Sequence, residues 1–177
     1  MESEREGEAE ASADVRLTEA WDELGACPMT AADLDAAVME IFESMLQTGC
    51  RVVPGCRGAG LRVRASIRLS GAGGGICMVE LPVEAGDWLT DSLMGSEADW
   101  DEEMVNDAVG ELCNMIAGGV KRRLHTAPEE WQMSLPVVWR GGGEGPGGEQ
   151  VPGSHGMRRC YSMGAVTFAV RVAFWRA

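Results

Sequence analysis

Asp107-Ala108-Val109-Gly110-Glu111-Leu112-Cys113-Asn114-Met115-Ile116-Ala117 lies without gaps over Ala36-Ala37-Val38-Met39-Glu40-Ile41-Phe42-Glu43-Ser44-Met45-Leu46. Val38 meets Val109, Glu40 meets Glu111 and Ile41 meets Leu112. Both stretches carry apolar residues at helical spacing: Leu34, Val38, Ile41 and Met45 with Phe42 in the first, and Val105, Ala108, Val109, Leu112, Ile116 and Val120 in the second. The spacing predicts helices over residues 31–47 and 102–124. Strand-like segments follow each helix, so the chain reads as a duplicated helix-plus-hairpin unit with pseudo-twofold symmetry.

Outward from these helices, Leu61 to Leu69 alternates apolar with polar residues, the pattern of a half-buried strand. Ser70-Gly71-Ala72-Gly73-Gly74-Gly75 reads as a turn, and Ile76 to Pro82 returns as a second strand. Glu84 to Gly95 reads as a short helix, Trp131 to Arg140 as a strand, and Met157 to Ser162 and Ala165 to Trp175 as two more. Residues 50–60 and the glycine-rich stretch 141–156 read as loops. The latter lacks the Lys-Ser/Thr ending of a phosphate-binding P-loop. The order α-β-β-α-α-β-β-β predicts an α+β fold, an antiparallel sheet with two long helices packed on one face. The last strand is expected at a sheet edge, open to pairing between chains.

A chain of 177 residues fits one domain with a tail. Residues 1–14, dominated by glutamate at their start, are expected to be a disordered acidic tail, and residues 15–177 a single domain. The net charge of −13 disfavours nucleic acid as a partner. No basic start followed by an apolar run suggests a signal peptide, and no stretch approaches the length of a membrane span. These features predict a soluble, cytoplasmic protein with no membrane partner. The six cysteines form no C-x-x-C, and neither His125 nor His155 is spaced to complete a zinc site with them, so they read as buried thiols. Asp99, Asp101, Glu102 and Glu103 suit the start of a helix, where acids favour the dipole, better than a metal site.

The second helix has two faces. At about 100° per residue, Asp107 and Asn114 fall within about 60° of Glu111, with Gly118 between them. The apolar stripe lies opposite. A glycine inside a helix costs about 1 kcal/mol relative to alanine. Gly118 therefore suits a face that another molecule approaches closely, or one that only admits a neighbouring helix. Geometry leaves both open.

The spacing Asp107-x3-Glu111-x2-Asn114, with Pro136 after 21 further residues, resembles the signature of the CheC/CheX/FliY phosphatases. The longer string through Gly118, with Lys121 beyond it and Ser134-Leu135-Pro136-Val137-Val138 downstream, resembles the CheX branch. The resemblance runs from about residue 31 to the end. It departs at Gly119, where the family often has asparagine, and in the long 141–156 loop. CheC-like members can carry the motif on both helices; here Ala36 and Glu43 stand where the second helix has Asp107 and Asn114.

The resemblance implies a phosphatase acting on the aspartyl phosphate of a CheY-like response regulator, in chemotaxis or another two-component circuit. Glu111 and Asn114 would be the catalytic pair, and Asp107, Gly118 and Lys121 would contact the partner. Pro136 would be structural. No cofactor of its own is implied, with Mg2+ carried by the regulator, and a homodimer is left open. The alternative is a non-enzymatic module that binds a response regulator or dimerises within a signalling complex.

Overall fold

Thr30 sets the start of the first helix, α1 (Ala31–Ser44). Its hydroxyl accepts from the Asp33 backbone N–H at 3.2 Å, and the Asp33 carboxylate accepts from the Thr30 N–H at 2.8 Å, a reciprocal capping box. His125 closes on the same carboxylate at 3.1 Å. Burial works against the charged Asp33, but the Thr30 hydrogen bonds and His125 outweigh it and hold its pKa below the usual value. The associated stability is present above the ordinary carboxylate range and fades as pH falls through the lowered folded-state value. Thr30→Ala is expected to cost about 1 kcal/mol, read as a lowered thermal midpoint at neutral pH.

The computed structural model describes residues 28–56, 61–71, 73–95, 100–125, 131–141, 154–164 and 166–176. Residues 1–14 and most of the glycine-rich 141–156 stretch lie outside these. After α1 come β1 (Arg51–Val53), β2 (Arg62–Ser70), β3 (Gly73–Pro82), α2 (Val83–Met94), α3 (Glu102–Arg122), β4 (Gln132–Met133), β5 (Val137–Arg140), β6 (His155–Met163) and β7 (Val166–Arg176). The strands form one seven-stranded sheet in the order β1-β6-β7-β3-β2-β4, with β5 also paired to β2. Every described pairing is antiparallel. The fold is α+β, as its element order predicts.

The duplication is visible in this order. Exchanging β1 for β5, β2 for β6 and β3 for β7 maps the sheet onto itself about an axis between β3 and β7. The contacts made one position before the helical match do not follow it, because they reach β6 and β5, which the exchange does not relate. Asp35 on α1 accepts two hydrogen bonds from Arg159 of β6, at 3.1 and 2.7 Å, and Asn106 on α3 accepts from Arg140 of β5 at 3.1 Å. Among the described residues, helix α2 has no counterpart.

Five expectations need correction. Arg51–Val53 is a strand rather than loop, because its register against β6 places Val52 opposite Tyr161. Gly73 to Gly75 belong to β3 rather than to a turn. A side chain at Gly74 would strike the Trp175 ring and one at Gly75 the Phe174 ring, so the glycines give these rings a floor. The stretch 131–140 is two strands, interrupted at Ser134–Pro136. The last strand is not an edge, since β7 lies between β3 and β6 and the edges are β1 and the β4/β5 side. Finally, the cysteines are not all thiols. The β1–β6 register sets Val53 opposite Cys160, and the chain beyond it brings Cys56 to a Cα–Cα distance of 5.4 Å, where the two form a disulfide. Cys50, Cys77 and Cys113 are free, while Cys27 lies outside the described residues. The Cys113 thiol sits in the core near the Ala65 carbonyl at 3.5 Å. Burial, reinforced by Asp35, pushes the Cys50 thiol up to about 12.

The core lies between the helices and one face of the sheet. Val63, Ala65, Ile67 and Leu69 of β2 meet Val105, Val109, Leu112 and Ile116 of α3, while Phe42 of α1 stacks on Phe168 of β7 with ring centroids 5.0 Å apart. All six apolar residues assigned to the α3 core face are buried.

Candidate functional site on the third helix

Asp101 begins α3 by accepting from the Met104 backbone N–H at 2.9 Å. Glu102 and Glu103 fill the first turn, and Lys121 and Arg122 the last, an arrangement that suits the helix dipole. With its apolar stripe fixed in the core, the opposite stripe faces outward. Asp107 and Glu111 are exposed, and Asn114, Gly118 and Lys121 are half-exposed. The five residues singled out in the sequence thus lie along one accessible face. Among the described residues, neither Glu111 nor Asn114 has a hydrogen-bond or ionic partner. A carboxylate and an amide one turn apart therefore stand ready for an external ligand.

The glycines of α3 do different things. At Gly119 an added Cβ would lie 3.2 Å from Ala37 Cβ and 3.5 Å from the Ala37 carbonyl oxygen, so this glycine lets α1 and α3 approach. At Gly110 it would meet Val138 Cγ2 at 3.3 Å and Pro136 Cγ at 3.4 Å. At Gly118 only the Arg122 Nη1 comes within 4 Å, at 3.7 Å. Among the described residues Gly118 thus meets no neighbouring helix, only the end of the exposed Arg122 side chain. Gly118→Ala is expected to stabilise the fold by about 0.5–1 kcal/mol, and Gly118→Trp to fold normally while blocking close approach to the stripe. Thermal melts and a binding assay with a receiver partner check the two halves.

Sequence reasoning missed the neighbour of this face. Pro136 seats on Gly110, so the connection between β4 and β5 runs alongside the stripe. Ser134 anchors it: its N–H donates to the Arg68 carbonyl at 3.0 Å and its hydroxyl accepts from the Arg68 N–H at 3.0 Å. Leu135 projects from this anchored ridge at 86% exposure. The Leu-Pro pair was legible as part of a strand and of the family-like signature, but its place beside the stripe was not.

The first helix carries no equivalent constellation. Glu40, the counterpart of Glu111, is bound by Arg123 and lies 4.0 Å from Arg122. The hydrogen bond and charge of Arg123 hold the Glu40 carboxyl below its usual range. Among the described residues, no group of three or more His, Cys, Asp or Glu is placed to hold a metal ion, and no helix is long and apolar enough to cross a membrane.

Residues 63–149, which include all of α3 and the Leu135-Pro136 ridge, match the family model for chemotaxis phosphatase CheX. Over these residues the chain is CheX-like. Solved structures share the fold. CheX from Vibrio vulnificus superposes with a TM-score of 0.64 at 21% identity, covering 81% of this chain and 95% of that one. The CheX-CheY-BeF3-Mg2+ complex from Borrelia burgdorferi gives 0.59 at 20% identity, covering 82% and 97%. FliY from Thermotoga maritima gives 0.56 at 15% identity, covering 92% and 90%. No curated protein matches the chain by sequence. The CheX-like match covers α3, whose Glu111 and Asn114 stand unpartnered on its outer face.

Proposed function

We propose that this chain is a phosphatase that removes the aspartyl phosphate of a CheY-like response regulator, with Glu111 and Asn114 entering the regulator's pocket. The observation that carries the reading is the free, outward carboxylate–amide pair on α3, in a segment that matches the chemotaxis phosphatase model. Support for the partner comes from the CheX relative solved with CheY, BeF3 and Mg2+. The regulator would bring its own Mg2+, and this chain needs no cofactor. The protein works as a single cytoplasmic domain behind its acidic tail.

Hydrolysis of an acyl phosphate needs an in-line water and stabilised charge on the phosphoryl oxygens. An amide can accept a hydrogen bond from the water and donate one to a phosphoryl oxygen. A carboxylate in its place would only accept, and would repel the phosphoryl group. Asn114 therefore positions the water. Glu111, one turn earlier, pairs with a lysine of the receiver and fixes the docking register. Asp107 and Lys121 flank this contact, and the bare Gly118 backbone permits the approach. Glu40 is held by the chain's own arginines, and Glu43, the counterpart of Asn114, has no amide, so one site operates. Phosphate release from a phosphorylated receiver tests the reading: stoichiometric binding without acceleration would leave the non-enzymatic module instead.

A further inference from the structure

The stripe on α3 is graded in charge. Two carboxylates, Asp107 and Glu111, lie at one end, the amide and the bare Gly118 in the middle, and Lys121 and Arg122 at the other. After three turns Arg122 returns to within about 20° of Glu111 around the axis. Helical side chains lean toward the N-terminus, and the Arg122 guanidinium does so, lying over Gly118 with Nη1 3.7 Å from where a Cβ would stand. Gly118 itself lies one turn along the helix from Asn114. Any larger residue at Gly118 would take up this space.

Arg122 is not committed where it is. Its only ionic partner among the described residues is Glu40, at 4.0 Å, with the two side chains 59% and 49% exposed. An ion pair this exposed contributes little, and Arg123 already satisfies the other Glu40 oxygen. A guanidinium held so loosely can exchange Glu40 for a stronger anion.

We propose that Arg122 is a docking residue that leaves Glu40 to engage the anionic phosphoryl end of the receiver's pocket, while Glu111 holds the lysine end. The proposal rests on the phosphatase reading and names its second electrostatic anchor. The need for it follows from charge: a chain of −13 presenting Asp107 and Glu111 repels a phosphoryl dianion, and a planar, bidentate donor offsets that repulsion. Arg122 and Glu111 would set the two ends of the contact and so its direction.

The test uses the full chain, a phosphorylated receiver for turnover and the same receiver loaded with beryllofluoride for affinity. Arg122→Ala is expected to raise KM and Kd about tenfold, leaving kcat within about twofold. Arg122→Glu should raise both further, and Arg122→Lys should recover most of the loss. Glu40→Gln, which frees the guanidinium, should lower Kd, a change that a merely structural Arg122–Glu40 pair would not produce. Unchanged Kd in Arg122→Ala and Arg122→Glu overturns the proposal, whether or not the wild type releases phosphate. A raised Kd with no turnover by the wild type supports Arg122 as an anchor and overturns the phosphatase reading instead.

Discussion

Asn114→Ala is expected to lower receiver-stimulated phosphate release by about 100-fold or more, the scale on which removal of a group acting only in the transition state is felt, while Kd for a beryllofluoride-loaded receiver stays within a few-fold. Asn114 is half-exposed and unpartnered, so its truncation leaves no core group orphaned and the fold should be unaffected. The separation of turnover from affinity is diagnostic. A residue that only contacts the partner would lose both together, and a residue that only shapes the helix would lower the thermal midpoint. Asn114→Asp should be nearly as inactive as alanine, because the carboxylate cannot donate to a phosphoryl oxygen.

Glu111→Lys is expected to abolish binding and turnover at once. Its carboxylate is exposed on the docking face, and charge reversal there sets like charges against each other where the account has an ion pair. Truncating one side of a desolvated, hydrogen-bonded pair costs about 2–5 kcal/mol, and reversal exceeds truncation. Glu111→Ala should therefore weaken Kd by at least about 30-fold, and Glu111→Lys beyond detection. Isothermal titration with the beryllofluoride-loaded receiver measures both. Near-normal affinity in Glu111→Ala would remove the register role and leave Asn114 without its anchor. Neither variant should alter the melting temperature by more than about a degree or two, since nothing in the fold depends on this side chain.

The helices were legible because their apolar stripes are long and periodic, and the polar face of α3 followed from the same periodicity. The hairpins were legible through alternation, except where glycine concealed it. Gly74 and Gly75 read as punctuation because a sequence does not show the rings of Phe174 and Trp175 lying over them. The short strand β1 is held by its partner β6 rather than by any pattern of its own, so it could not be seen locally. The central place of β7 and the Cys56–Cys160 pairing are likewise consequences of topology, across a separation of 104 residues. In the site, the family resemblance pointed to Glu111 and Asn114, but the sequence did not show that Gly119 is closed by Ala37 while Gly118 meets only the Arg122 side chain. Nor could spacing show that Glu40 is taken up by Arg123 or that Arg122 leans across Gly118. The Ala37 and Arg123 contacts join two helices far apart in the sequence, and the Arg122 contact depends on a rotamer that spacing does not set.

The most direct measurement follows loss of label from a panel of phosphorylated receivers, with wild-type chain added at substoichiometric amounts. The account predicts that at least one receiver loses its phosphate faster with wild type, over several turnovers, and at its own rate with Asn114→Ala. A receiver that binds the α3 face tightly yet keeps its phosphate for its intrinsic lifetime would contradict it.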